Sequence, residues 1–388
     1  MDGIYAAFWQ DITIARIECF PVRYPTVMRF KFFEGPVEGG GGRPAVLIKI
    51  TASDGTVGWG ESVPVPRWSG ETLEGAVAML RKFLVPTILG MNPFDLEAIH
   101  TAMNREIAGA FSTTAPITKA GIDLALHDLI GQVTGKNIAE LWGRTTPDSL
   151  LLSWTLNPRT LDEVPGLIAK GRERGFDHFN VKVAPDLEVD LQLCEMVKEA
   201  VPEGFLWADA NGGYTLETAL EAAPKLADAG VPVLEQPLPA NQIRGYQQLR
   251  ALKALPILMD EGMVSPVEVE EYIHLGCLDG IAMKPARCGG LISARAQVEL
   301  VHQYGLRFLG SGLTDPDVSL AASLILYGAY GLEYPAALNG PQFLGESVIT
   351  EPFIPKGGRV PIPKGPGLGI TVDEDKVRDL HDRTAPDL

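Results

Sequence analysis

Positive charge is scarce in this 388-residue chain. Its 33 Lys and Arg stand against 49 Asp and Glu, for a net charge of −16. That balance excludes a phosphate-tracking protein and predicts no nucleic-acid partner and no membrane partner. Cysteine is scarcer still. Cys19, Cys194, Cys277 and Cys288 form no CxxC and are not interleaved with histidine, so a disulfide scaffold is excluded and free thiols in a reducing compartment are expected. The chain lacks any run of about eighteen uncharged apolar residues, which leaves no candidate membrane helix. Its N-terminus, MDGIYAAFWQDITIARIE, has acids at Asp2 and Asp11 and no signal-like apolar stretch, so a cytoplasmic location is expected. No GxGxxG follows the first strand-like segment, which counts against a dinucleotide-binding sheet.

What the chain does have is length and apolar content. At 46% hydrophobic residues it can bury a large core and is too apolar for disorder, and its length predicts two or three domains. Residues 13–25 and 44–63 are β-rich, with Ser53–Thr56 as a hairpin turn between strands. Between them FKFFEGPVEGGGGR reads as a mobile loop, aromatic and then glycine-rich. Helical periodicity follows near 71–88, 94–108 and 114–133. Strands first and helices after predict an α+β domain over 1–145.

The pattern then becomes repetitive. Short apolar runs start at residues 150, 178, 206, 231, 256, 280, 307 and 332, and amphipathic stretches separate most of them. Eight strand-plus-helix units in this space predict a (β/α)₈ TIM barrel over 146–340 rather than an open doubly wound sheet. The tail, 341–388, has no further repeat. Its segment GRVPIPKGPGLGITVDEDKV suggests two short strands around a Pro/Gly turn, returning to pack on the N-terminal domain.

In a barrel of this kind, catalytic groups stand at the C-terminal strand ends. Those positions hold Lys182, Asp209, Glu235, Asp260 and Lys284, spaced by 27, 26, 25 and 24 residues. One acid at a strand end is ordinarily a helix N-cap and one lysine is ordinarily solvated; five in matching positions call for a common cause. Three converging carboxylates repel unless a cation compensates them. All-oxygen ligation without His or Cys suits Mg²⁺, with Mn²⁺ as the softer option. Lysines flanking such an ion, if their pKa is depressed, are candidate bases for a proton α to a carboxylate. A metal-free glycosidase would also use strand-end carboxylates, but it gives Lys182 and Lys284 no role. A non-catalytic binding module would have no use for the whole set.

The same residues carry a family resemblance. Asp209-Ala210-Asn211, Glu235-Gln236-Pro237, Asp260-Glu261 and the K-x-x-x-x-G-G run from Lys284 to Gly290 resemble the enolase superfamily, and the single strand-six lysine resembles its muconate-lactonising branch. Residues 120–143 are similar to that family's helix joining cap to barrel, and 365–373 to its C-terminal return. The resemblance implies an α/β fold of TIM-barrel type, with 1–145 as a capping domain completed by 341–388. It also implies Asp209, Glu235 and Asp260 as metal ligands, Lys284 and Lys182 as bases on opposite substrate faces, and a homo-oligomer. Glu261, next to Asp260, is expected to point elsewhere in its strand.

The chain departs from the family at several points. The usual K-x-K of strand two is Asn180-Val181-Lys182, so Asn180 should face the site without bringing charge. Strand seven ends in Gly310-Ser311-Gly312 rather than in the His of the mandelate racemase branch. Strand eight has Ala337-Leu338-Asn339 where dipeptide epimerases have D-x-D. Asn180, Asn211 and Asp315 are candidate substrate contacts, with helix capping the alternative for Asp315. Phe30, Phe32, Phe33 and the segment around Trp68 are candidates for closing over the barrel, with core packing as the alternative. Two lysines favour a racemase or epimerase acting on a small carboxylate or amino-acid derivative, and a cycloisomerase uses the same enolate with one lysine as acid. A dehydratase (lyase) of a β-hydroxy acid such as a hydroxyproline is the alternative.

Overall fold

The computed structural model describes residues 5–33 and 42–388. Strands β1 (Ile14–Tyr24), β2 (Arg43–Ala52) and β3 (Val57–Ser62) pair antiparallel in chain order. The β2–β3 turn is closed by Gly55 N–H donating to Ala52 O (3.0 Å) and Thr56 N–H donating to Asp54 Oδ1 (2.9 Å). Residues 34–41, the glycine-rich part of the expected mobile loop, lie outside the described residues.

Six helices follow: α1 (Pro66–Ser69), α2 (Leu73–Met79), α3 (Val85–Ile88), α4 (Leu96–Glu106), α5 (Pro116–Thr134) and α6 (Ile138–Leu141). The helical pattern over 71–88 is realised as two helices joined by a π turn at Leu80–Leu84, because Pro86 has no N–H to continue the α ladder. Helix α5 is buried continuously from Ile117 to Gly131. It packs on β3 so closely that a Cβ at Gly60 would lie 2.0 Å from the Gly121 carbonyl oxygen.

The second half alternates strand and helix. After β4 (Ser149–Leu151) come β5 (Trp154–Leu156), α7 (Val164–Glu173), β6 (Phe179–Lys182), α8 (Leu187–Ala200), β7 (Leu206–Asp209) and α9 (Leu216–Asp228). The series continues with β8 (Val233–Glu235), α10 (Ile243–Leu252), β9 (Ile257–Met259), α11 (Pro266–His274), β10 (Gly280–Met283), α12 (Leu291–Gln303), β11 (Arg307–Gly310) and α13 (Asp317–Ala329). Strands β5 to β11 form one parallel sheet in chain order.

The eighth repeat forms no strand of comparable length. Ala336 and Ala337 instead bridge Leu152 and Ser311 across the gap, through Ser153 N–H to Ala336 O (2.9 Å) and Ala337 N–H to Gly310 O (2.8 Å). Pro335 immediately before them cannot donate to a ladder, which keeps the pairing short. The result is an α/β fold of TIM-barrel type, with seven strand–helix units and a closing segment.

Inside the ring, Trp207, Val233, Leu258, Ala282, Leu309 and Ala337 pack together. Each precedes a strand-end position by two residues, so the layer above them is the one that carries the charges.

The tail adds α14 (Gly340–Phe343), β12 (Arg359–Pro361) and α15 (Glu374–Thr384). Of the two strands expected there only β12 forms, and its partner is β4, antiparallel. Helix α15, which the sequence reading did not anticipate, lies on β1: Arg23 N–H donates to Thr384 Oγ1 (2.9 Å) and His381 Nδ1 is 2.7 Å from Pro21 O. Its buried stripe is Val377 and Leu380.

Candidate active site

Strand register sets the first three charges side by side. Lys182 is the Cα partner of Asp209, and Asp209 of Glu235. Asp260 and Lys284 directly follow the last residues of β9 and β10. The following helices have other residues at their N-caps: Thr215 for α9, Gln242 for α10 and Ser265 for α11. Asp209, Glu235 and Asp260 are therefore not spent as N-caps, and the ordinary explanation for strand-end acids fails here.

These side chains meet. Lys182 Nζ pairs with Asp209 Oδ2, and Lys284 Nζ pairs with Asp260 Oδ2 while standing 3.6 Å from Glu235 Oε1. Asn211 holds Asp209 from two sides, N–H to Oδ1 at 2.8 Å and Nδ2 to Oδ2 at 3.1 Å, and its Nδ2 also reaches Glu261 Oε1 at 3.1 Å. Trp68, on α1, donates from Nε1 to the same Glu261 oxygen (3.1 Å).

Two members of this cluster differ from the sequence reading. Glu261 does not point away. Strand β9 ends at Met259, and Met263 N–H turns back to Asp260 O (2.9 Å), so strict strand alternation no longer governs position 261. Arg287 was not anticipated. Its Nε lies 3.2 Å from Asp260 Oδ1 and its side chain is buried. The signal lay in Lys284-Pro285-Ala286-Arg287: a proline-bearing turn, closed by Arg287 N–H to Lys284 O (2.9 Å), brings both cations to one acid.

The other candidates are placed differently. Asn180 is paired in register with Trp207 and lies in the barrel interior beneath the charged ring. It is 1% exposed, and neither its Oδ1 nor its Nδ2 has a hydrogen-bond partner among the described residues. Asp315 is used locally, accepting from Leu313 N–H (3.1 Å) and the Ser323 hydroxyl (3.4 Å). It acts on the ring only as a charge in range of Lys284.

Burial decides the electrostatics. It pushes Glu235 well above the usual carboxylate range, and Asp209 beside it pushes the same way. It would raise Asp260 too, but Arg287 and Lys284 reverse the sign and hold that carboxyl low. Burial lowers Lys182, yet Asp209 and Glu235 outweigh it and hold the ammonium above its usual range. A base needs the opposite shift, so Lys182 can serve as one only if another cation relieves it of these acids.

The donor set fits such a cation. Both Glu235 oxygens are buried and accept no hydrogen bond among the described residues, and three carboxylates without His or Cys are ligands for a hard divalent ion such as Mg²⁺. Among the described residues no three acidic, His or Cys side chains stand closed around one point; ammonium groups lie against the carboxylates instead.

Aromatic rings wall the site. The Trp68 ring centroid is 5.3 Å from Lys284 Nζ and 5.8 Å from Lys182 Nζ. Phe32 stacks on Trp68 at 4.3 Å, with 8° between the planes. Phe30 is buried and packs on Trp68 and Phe343, so of the three loop aromatics it is the core residue. The N-terminal unit also touches the strand-end loops through Arg29 Nη1 to Asn157 O (3.3 Å) and Arg43 Nε to Leu313 O (2.9 Å). Among the described residues no helix is long and apolar enough to cross a membrane.

Known proteins carry the same architecture. Residues 166–376 match the enolase C-terminal domain-like family, and residues 36–143 match the mandelate racemase / muconate lactonizing enzyme N-terminal domain. Muconate cycloisomerase 1 of Rhodococcus opacus is 29% identical over 375 residues, 95% of this chain and 98% of that one. The N-succinyl-L-Arg/Lys racemase of Bacillus cereus is 26% identical over 376 residues, 95% of this chain and 97% of that one. The crystal structure of 2-chloromuconate cycloisomerase from Rhodococcus opacus 1CP superposes with a TM-score of 0.87 at 27% identity, covering 96% of this chain and 99% of the other. With these matches spanning both halves of the chain, and with the strand-end charges where the fold demands them, the chain belongs to the enolase superfamily, in its muconate-lactonising subgroup, and is an isomerase of that superfamily.

Proposed function

We propose that this isomerase removes the proton α to a carboxylate of a small acid or amino-acid derivative, in a Mg²⁺-dependent reaction, and returns it either at the same carbon, as a racemase or epimerase, or elsewhere, as a cycloisomerase. The observation that carries the reading is a pair of lysines, the partly buried Lys182 and the buried Lys284, on opposite sides of three strand-end carboxylates. Asp209, Glu235 and Asp260 would hold the metal. Bound there, Mg²⁺ would supply Lewis-acid polarisation of the substrate carboxylate and stabilise the enolate that proton loss creates.

The remaining work belongs to the chain. Lys182 and Lys284 exchange the proton from two faces. Asn211 fixes the orientation of Asp209 and Glu261. Arg287 keeps Asp260 ionised. Trp68 and Phe32 act as part of a cap, excluding water from above the lysines.

The test is α-proton exchange. Protein with MgCl₂ in D₂O is incubated with cis,cis-muconate, N-succinyl amino acids and proline derivatives and followed by NMR and mass spectrometry. Deuterium in recovered, epimerised or cyclised acid supports the reading. Loss of water from a β-hydroxy acid would move it to a dehydratase. Absence of exchange across the pool, with Mg²⁺ bound, would reject it.

A further inference from the structure

The charged ring is short of one cation. Four carboxylates (Asp209, Glu235, Asp260, Glu261) face Lys182, Lys284 and Arg287. A divalent ion together with one substrate carboxylate would bring that set to neutrality and leave nothing to meet a second substrate carboxylate. In the family pattern a further lysine stands two residues before Lys182. Here that position is Asn180, uncharged and buried beneath the ring.

A cation reaches the same side of the site from the N-terminal unit. Lys31 Nζ stands over the Phe32 ring, 5.0 Å from its centroid. Phe32 in turn stacks on Trp68, whose ring is within 5.8 Å of Lys182 Nζ. Lys31 is half-buried, and among the described residues it has no salt-bridge partner. Burial lowers it to about 8, with Lys182 pushing the same way against Asp209 and Glu261, so Lys31 shares the electrostatic environment of the ring. A half-buried ammonium over the outer ring of the Phe32–Trp68 stack, with no ion-pair partner among the described residues, is poised for an anionic ligand.

We infer that Lys31 binds a second carboxylate of the substrate, so that the cap supplies the cationic contact that strand β6 lacks at Asn180 and selects dicarboxylates over monocarboxylates. The inference rests on the proposed enolate function for its setting, but its test does not require turnover. Calorimetric titration of the Mg²⁺-loaded protein compares two matched pairs: cis,cis-muconate with its monomethyl ester, and N-succinyl-L-lysine with N-butyryl-L-lysine. A charge-assisted contact predicts that the diacid of at least one pair binds roughly ten- to a hundredfold tighter.

Lys31→Met should abolish that preference and leave monoacid affinity unchanged. Lys31→Arg should keep most of it. Lys31→Met combined with Asn180→Lys should recover part of it by returning the charge to the barrel. Three results would overturn the assignment: no diacid preference in the wild type, a preference that survives Lys31→Met, or equal loss for diacid and monoacid. Failure of deuterium exchange with diacid preference intact would reject the proposed reaction and keep Lys31 as a carboxylate site.

Discussion

Lys284→Met should separate two roles of one side chain. The ammonium is 1% exposed and lies against Asp260 and Glu235. Removing one member of a buried ion pair costs about 3–5 kcal/mol, because the stranded charge keeps its desolvation penalty. Two features soften this. Arg287 remains 3.2 Å from Asp260, and Glu235, already pushed up by burial, takes a proton readily. We therefore expect the lower end, about 3 kcal/mol, when no divalent ion is present. An ion on Asp209, Glu235 and Asp260 restores the missing charge without having to displace the Lys284 ammonium from Asp260. Mg²⁺ should thus stabilise the variant by about 2.7 kcal/mol at a hundredfold excess over its Kd, and the wild type by less at the same concentration. Urea unfolding with and without MgCl₂ reads both numbers. Deuterium exchange should fall at least the 10²–10⁴-fold typical of losing a positioned base. A variant as stable as the wild type without Mg²⁺, or one that Mg²⁺ fails to rescue, refutes the ion-pair account. Undiminished exchange removes Lys284 from the chemistry.

Other consequences are simpler to check. Asp209→Asn keeps the side-chain shape but removes a ligand charge, so Mg²⁺ affinity by calorimetry should drop at least tenfold, and unchanged affinity would take Asp209 out of the ligand set. Trp68→Phe keeps the ring and deletes one of two donors to Glu261 Oε1, leaving Asn211 Nδ2 on the same oxygen; a loss of about 0.5–1.5 kcal/mol is expected in urea unfolding, and none at all would mean that Asn211 alone satisfies the carboxylate. Glu61, on β3, is raised from 4.5 to about 7 by burial, although Tyr24 and Ser319 donate to it. The folded state then holds the proton more tightly than the unfolded chain, so stability is lost as pH rises from about 4.5 through about 7, by up to about 3 kcal/mol. Glu61→Gln should flatten the urea midpoint across that window, and an unchanged slope would assign it to other groups.

The barrel was legible because its period is simple. A buried apolar residue at one layer and a charge two residues later recur on successive strands, and Trp207 before Asp209, Val233 before Glu235 and Ala282 before Lys284 all obey that step. The reading failed where the strand stops. Alternation predicts that Glu261 opposes Asp260, but the turn at Asp260–Met263 cancels it. The three-residue spacing of Lys284 and Arg287 resembles an ordinary helical approach until the turn is seen. The apolar run at 332–338 matches the other repeats in sequence, although Pro335 limits its pairing to Ala336 and Ala337.

The contact between α5 and the start of α12, distant in sequence, was not legible, and it explains part of the family motif. The second glycine of the K-x-x-x-x-G-G run, Gly290, sits at φ +97°, and a Cβ there would fall 2.1 Å from Asp123 Oδ1. Asp123 belongs to α5 in the N-terminal unit, 168 residues from Leu291, whose N–H it accepts at the start of α12. His100 (2.8 Å) and His127 (3.2 Å) hold the same carboxylate, which burial would raise but the two histidines keep low. The glycine is required by a carboxylate from the other end of the chain. That carboxylate, in turn, ties the helix that follows Lys284 to the N-terminal unit that carries Trp68 and Lys31, so one buried side chain links the segment of the proposed base to the segment of its aromatic neighbours.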